Sequence, residues 1–332
     1  MANNDAFDKM ETVIMESSLT EDEKNRLLKV ILRDKDCKAN ILITGATGSG
    51  KSSTINALFG MEEAKVGTGV EPETKHIDRF ELGNLVLWDS PGLGDGKEAD
   101  RLHSKGIEEM LHKKDDDGSR LIDVVLVILD GGSRDLGTSY ELIEKVIIPN
   151  LTDKSDIIIG INQADMVMKG RYWDYEKSLP QETLQKQLEE KARSVAERIQ
   201  RDTGVEVKPV CYSAGFKEEG LPQGKPYNLS KLLCYIIESI PKEKRLTVLV
   251  RTNQKPVVWE NHDKLEDYSA KTTRNVGLDI LKDAGIGVAS GAALGAKLGS
   301  FIPVVGTAIG AGVGAVVGGI VGAVGAIFSI FG

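Results

Sequence analysis

The sequence predicts an α/β protein, a mostly parallel sheet with helices on both faces. Three observations lead there. Short, nearly continuous apolar runs such as "ANILITG" (39–45), "LIDVVLVILD" (121–130) and "DIIIGIN" (156–162) have the composition of strands buried on both faces. Between them lie stretches with apolar residues at helical spacing. The first run ends in a glycine-rich turn that opens directly into a helical pattern, the repeating unit of a layered sheet.

Taken in order, residues 5–35 read as two short helices. In the second, "LTEDEKNRLLKVILRD", Thr20 and Glu23 have capping-box spacing, and Leu27, Leu28, Ile31 and Leu32 form an apolar stripe. Further strands are expected at "KHIDRF" (75–80), "NLVLWD" (84–89) and "VEVKPVCYS" (205–213), with helices near 51–59, 98–113, 135–148, 181–201 and 229–240. The 181–201 helix reads as a solvent-faced one carrying Glu/Lys/Arg pairs, and "HKKDDDG" (112–118) as a solvated loop. Pro241 and "KEKR" mark a boundary. The domains are therefore an N-terminal helical segment (1–37), an α/β domain (38–241), a mixed helical and irregular connector (242–283) that contains Trp259, and a hydrophobic tail (284–332).

Composition narrows the function classes. A length of 332 residues has room for one sizeable domain with accessories, and 41% apolar with 28% charged residues argues against long disorder. The formal charge of −8 excludes the broad basic surface of a nucleic-acid binder. Cys37, Cys211 and Cys234 lie far apart, without C-x-x-C and without ligand spacing to the histidines at 76, 103, 112 and 262. This pattern fits a reducing compartment and gives the histidines surface or structural roles. The start, "MANNDAFDKMETVIMESS", lacks the basic and apolar regions of a secretory signal, so the chain is expected on the cytoplasmic side.

The first strand runs into "GATGSGKSS", which satisfies G-x-x-x-x-G-K-[ST]. Glycines let backbone N–H groups curl around phosphate oxygens, and the following helix points its positive end at them. Gly45, Thr47, Gly48, Ser49, Gly50, Lys51, Ser52 and Ser53 are the expected phosphate-binding residues. Lys51 reaches the β- and γ-phosphates and Ser52 ligates Mg²⁺.

Four more motifs follow in order: "GVEPETKHI" ahead of a strand, "DSPG" at a strand end, "NQAD" (162–165) after "DIIIGI", and "YSAG". With all five, the chain resembles GTPases of the Era-like, translation-factor-related superfamily over roughly residues 38–241. The resemblance implies a P-loop GTPase fold, GTP/GDP as ligand and Mg²⁺ as cofactor, with ATP the alternative nucleotide. It makes Thr74, rather than the more distant Thr68, the switch threonine that binds Mg²⁺ and closes over the γ-phosphate. Asp89 then holds Mg²⁺, and the Gly92 N–H contacts the γ-phosphate. Asp165 reads the guanine N1–H and 2-amino group, Asn162 supports the base edge, and Ser213 and Ala214 form the loop near O6. Gln163 stands where the family has lysine.

The catalytic machinery this implies is Lys51, Thr74, the Gly92 amide and the metal, since phosphoryl transfer needs mostly positioning and charge neutralisation. Leu93 occupies the place of the water-orienting glutamine of Ras-type enzymes, so unaided turnover should be slow. Gly48 stands where relatives that use potassium have asparagine, which leaves that device unsupported. Asp95 is a polar helper or, more simply, a turn residue. A residue from a second subunit is the remaining source of help, hence a homodimer or oligomer through the G domain.

The tail differs from everything before it. Glycines recur every four residues at 287, 291, 295 and 299, and again at 306, 310, 314, 318 and 322, and no charge follows Lys297. Glycine costs about 0.8–1 kcal/mol against alanine in a helix, so something else must hold such a helix. Small residues in one stripe let two helices approach closely, and the 304–331 segment is long enough to cross a bilayer. The favoured reading is a glycine-zipper hairpin that inserts into membrane lipid. The competing one is a water-soluble hairpin buried in an oligomer. With this tail the chain most resembles bacterial Era-like relatives of immunity-related and dynamin-like GTPases. That resemblance implies a nucleotide switch at the cytoplasmic face of a membrane, the inner membrane of a bacterium. The alternative is a ribosome- or RNA-associated assembly GTPase, which the acidic charge disfavours.

Overall fold

The structure is a computed structural model that describes residues 5–61, 77–94, 96–215 and 224–287. Thr68, Thr74, Asp95 and residues 288–332 of the tail lie outside the described residues.

Two helices come first, α1 (Asp5–Met15) and α2 (Glu21–Asp36). The capping box is present: Thr20 Oγ1 accepts from the Glu23 N–H, and the Glu23 carboxylate accepts from the Thr20 N–H at 2.9 Å. On α2, Leu27, Val30 and Ile31 are buried, whereas Leu32 is 49% exposed. The apolar face therefore turns toward Val30 rather than Leu32.

Next come β1 (Ala39–Gly45), α3 (Lys51–Phe59), β2 (Asp78–Leu82), β3 (Leu85–Asp89), α4 (Lys97–His112) and β4 (Val124–Asp130). Helix α5 (Gly137–Leu142) continues through a π-helical stretch, Ile143–Ile147, to Asn150. The cause is Pro149, which has no N–H and whose ring excludes the carbonyl four residues earlier, so the helix widens before it. Strand β5 (Ile157–Asn162), helix α6 (Glu182–Thr203) and strand β6 (Val210–Cys211) complete the sheet, in the order β2-β3-β1-β4-β5-β6. Among the described pairings of this sheet, only β2–β3 is antiparallel. Strand β6 is shorter than the sequence suggests because Pro209 removes a ladder donor just before it.

Alternation along the strands builds two cores. Ile41, Ile43, Val124, Leu126 and Ile128 join one apolar cluster, while Leu42, Val125, Val127 and Leu129 join the other. Helices α4, α5 and α6 cover the second face. The first face carries α1, α2, α3 and three further helices: α7 (Leu229–Ser239), α8 (Lys242–Leu249) and α9 (Tyr268–Asp283).

The segment that reads as a mixed connector therefore supplies two helices and the buried Trp259 to the same core as the N-terminal pair. Lys244 is ion-paired with Asp123 at 2.7 Å, and Asp123 in turn accepts the Asn40 N–H at the entrance of β1. Near the end of α9, Asp283 pairs with Arg33 of α2. Among the described residues, no helix is long and apolar enough to cross a membrane.

Candidate nucleotide site

Strand β1 is buried along its whole length, which fixes where the phosphate loop begins. Gly50 caps α3 in the left-handed region, φ 86°, and a side chain there would run into the Asn162 amide. The loop is thus closed down on the fourth motif. Asn162 joins three motifs at once: its Nδ2 donates to Ser49 O at 2.9 Å, and its Oδ1 accepts the Ala214 N–H at 3.1 Å. Gln163, in the left-handed region at φ 59°, donates from Nε2 to Gly48 O at 2.9 Å. The residue standing in for the family's lysine therefore still touches the phosphate loop, without a charge.

Asp165 is 6% exposed, and none of the described side chains bonds its carboxylate. The paired donors of guanine's N1–H and 2-amino edge have the matching chemistry. Ser213 is buried beside it, and its Oγ accepts the Gly215 N–H at 3.3 Å. A groove lined by Ser53, Asn56, Ala214, Gly215, Asn253 and Lys255 opens at this end.

Tyr212, which sequence reading passed over as a neighbour of the fifth motif, is completely buried, with its hydroxyl 2.7 Å from Thr54 Oγ1 of α3. Its carbonyl accepts the Ala164 N–H at 3.0 Å. It ties the helix behind the phosphates to both base-side loops. Gly160 is the signal that could have revealed it, since a Cβ there would come within 2.9 Å of the Tyr212 ring.

On the phosphate side, the third motif lies across the loop. The Thr47 N–H donates to Leu93 O at 2.8 Å and the Leu93 N–H to Gly45 O at 3.3 Å. A Cβ on Gly92 would stand 2.6 Å from Thr47 Cα, so only glycine permits this approach. Lys51 Nζ donates to Gly45 O and Ala46 O at 3.3 and 3.2 Å. Leu93 is 2% exposed, its side chain in the second apolar cluster. It has no means of orienting water and is held away from doing so.

Asp89 Oδ1 is buried with no partner among the described residues. Burial pushes its carboxyl up to about 6 against the pull of the Lys51 charge. An orphaned buried carboxylate oxygen fits a hard cation, and Ser52, exposed on the first turn of α3, offers the hydroxyl to share it. The donor set suits Mg²⁺. Lys51, Ser52, Asp89, Gly92, Asn162, Asp165, Ser213 and Ala214 are thus brought to one end of the sheet. Thr74 lies outside the described residues.

His103 also belongs here. Its Nδ1 donates to Gly92 O at 3.1 Å, so its place is beside the third motif and not on an uninvolved surface.

Residues 40–163 match the family model described as "50S ribosome-binding GTPase". With the glycine-rich loop, the parallel sheet and the three-motif junction at Asn162, this settles the architecture. The fold is that of a P-loop GTPase. Two mouse proteins match a shorter stretch. Interferon-inducible GTPase 1 is 44% identical over 61 residues, 17% of this chain and 15% of that protein. T-cell-specific guanine nucleotide triphosphate-binding protein 2 is 35% identical over 85 residues, 22% of this chain and 20% of that protein. The chain thus spans about a fifth or less of the length of these curated relatives.

Among solved structures, the LeoA bacterial dynamin GTPase from ETEC aligns over 86% of this chain and 46% of its own, with 18% identity and a TM-score of 0.39. The G domain of the T. maritima FeoB iron transporter aligns over 61% and 98%, with 19% identity and a TM-score of 0.34.

Proposed function

We propose that the protein is a guanine-nucleotide switch that binds GTP with Mg²⁺, hydrolyses it to GDP and phosphate, and couples nucleotide state to self-association and membrane association of the 284–332 segment. One observation carries the nucleotide part: the Asn162 side chain bonds both Ser49 O and the Ala214 N–H, so one residue assembles the phosphate loop and the base-reading loops around a single place. The Asp165 carboxylate, on a largely buried residue three positions past Asn162, is the acceptor we assign to guanine's N1–H and 2-amino donors.

The chain's own residues divide the chemistry. The loop amides and Lys51 hold the β- and γ-phosphates, and Ser52 and Asp89 would hold Mg²⁺, which when bound would supply neutralisation of phosphate charge. Thr74 is the residue assigned to close over the γ-phosphate. With Leu93 packed into the core, no described side chain takes the glutamine's role. Turnover is therefore slow in the isolated subunit and rises when G domains meet face to face. A specific activity that stays flat across a hundredfold range of protein concentration would remove this pairing.

The membrane part rests on the tail's composition: an uncharged run from Leu298 to Gly332 with glycines every four residues. Flotation of the full chain on liposomes with a non-hydrolysable GTP analogue, with GDP and without nucleotide is the test. Analogue-dependent flotation that disappears when 284–332 are deleted is expected; a chain that never floats overturns it. The description of the matching family model supports a second reading, a ribosome-associated assembly GTPase. The net charge of −8 opposes it, and a salt-titrated ribosome pull-down separates the two.

A further inference from the structure

Helix α4 meets the third motif through residues on one face, at 100, 103 and 107. The Asp100 carboxylate accepts the Gly94 N–H at 2.7 Å. His103 Nδ1 donates to Gly92 O at 3.1 Å. Between these two anchors, Leu93 is buried in the same apolar cluster as Ile107. Gly92, the last residue of the motif, and Gly94, two positions on, are therefore both held by one helix, one through its carbonyl and one through its amide.

What they are held against is the phosphate loop. In this arrangement the Thr47 N–H is spent on Leu93 O, and the Lys51 ammonium is turned to the Gly45 and Ala46 carbonyls. Donors on which a terminal phosphate depends are thus directed at the protein itself. For a terminal phosphate to claim the Thr47 N–H, the Leu93 carbonyl, and with it the Gly92–Gly94 backbone, must leave this position.

We propose that Asp100 and His103 form a clasp on α4 that holds the third motif down on the phosphate loop, and that the clasp sets how strongly the protein prefers GDP over GTP. The proposal rests on the guanine-nucleotide reading above. Asp100 and His103 are positioning residues: they act through the loop and touch no nucleotide. GDP makes no demand on this loop, so the clasp leaves GDP affinity alone. GTP binding must break it, so the strength of the two bonds subtracts from GTP affinity. Each of these hydrogen bonds corresponds to a shift of about three- to tenfold in the ratio of affinities.

The test compares Asp100→Ala and His103→Ala with Asp100→Asn and His103→Asn in the full chain. Asparagine at 100 keeps an acceptor for Gly94, and asparagine at 103 places an amide N–H near the position of Nδ1. Affinities are measured for Mg²⁺·GDP and for the β,γ-imido analogue of GTP, with thermal melting recorded beside them. The alanine variants should bind the analogue about three- to tenfold tighter relative to GDP, and the asparagine variants should stay near wild type. An unchanged ratio, an equal loss for both nucleotides, or a ratio moved toward GDP overturns the clasp. In the unaltered protein, hydrogen exchange gives an independent readout. The Gly94 amide should be protected with GDP and exchange faster with the analogue; equal protection in both states also overturns it. A wild-type protein that binds neither nucleotide would instead refute the proposed function, so the two failures are distinguishable.

Discussion

The two halves of the nucleotide site are built on different principles. On the base side the groups that shape the site are satisfied from within: Asn162 bonds Ser49 and Ala214, Gln163 bonds Gly48, and Tyr212 bonds Thr54 and Ala164. That half is built from bonds within the protein, and Asp165 lies beside them. On the phosphate side, Asp89 Oδ1 and Ser49 Oγ are buried without partners, and Lys51 and the Thr47 amide are engaged by backbone carbonyls. A prebuilt half gives specificity at little reorganisation cost. A half completed by the ligand can respond to which ligand it is.

The difference can be broken first at the base. Asp165→Asn keeps one acceptor oxygen but turns the other into a donor facing a guanine donor, and should weaken GTP by about 1.5–3 kcal/mol, the contribution of one bond to a charged group. The same variant should gain xanthosine triphosphate. Competition binding with both nucleotides checks it, and undiminished GTP affinity refutes the assignment.

Asp89 should behave in the opposite sense. Replacing the orphaned carboxylate in Asp89→Asn removes the cost of a buried unpaired charge and should stabilise the ligand-free protein by about 1–3 kcal/mol. It should also abolish the dependence of nucleotide binding on Mg²⁺. Melting curves and Mg²⁺ titrations read both effects; a variant that melts lower, or keeps its Mg²⁺ dependence, counts against a metal site here.

Asp34 provides a control outside the site. Burial pushes it up to about 6, as at Asp89, but Arg33 pairs with it at 2.7 Å. A folded-state value raised above the unfolded one contributes stability that is fully present below about pH 4 and is lost as pH rises through 6. That value already contains the pull of Arg33, and a shift of this size corresponds to about 3 kcal/mol lost between pH 4 and 7. Asp34→Asn should flatten that part of the profile. Equal slopes in denaturant melts of the two proteins would show that Arg33 already compensates the burial.

The smallest effect is expected at Tyr212. Tyr212→Phe deletes one buried hydroxyl contact to Thr54 and should cost about 0.5–1.5 kcal/mol of stability. GTP and GDP should weaken together, because the residue links base loops to α3 and does not sense the third phosphate. A change confined to GTP would mean that the base half is less independent than its hydrogen bonds suggest.

Much of this was legible in the chain itself. The buried strands read directly because burial on both faces demands unbroken apolar runs, as in "ANILITG" and "DIIIGIN". The glycine-rich loop between β1 and α3 read because its geometry depends on local spacing: glycines to curl a loop, a lysine and a serine at a helix start. Local bonding rules also foretold the Thr20–Glu23 cap.

What the tertiary structure decided depends on residues far apart in sequence. The sequence allows His103 a surface or a structural role, and α4 decides for the structural one by placing it at the Gly92 carbonyl, while Asp100 carries no signature at all. Leu93 could be seen to lack a polar group, but its burial follows from how α4 packs on the sheet. The segment 242–283 has weak periodicity, yet α8 and α9 close the same core as α1 and α2, because an apolar sheet face left uncovered must recruit whatever chain can reach it. Sequence writes what each residue can do within a few positions of itself; only folding chooses which distant group it will do it with.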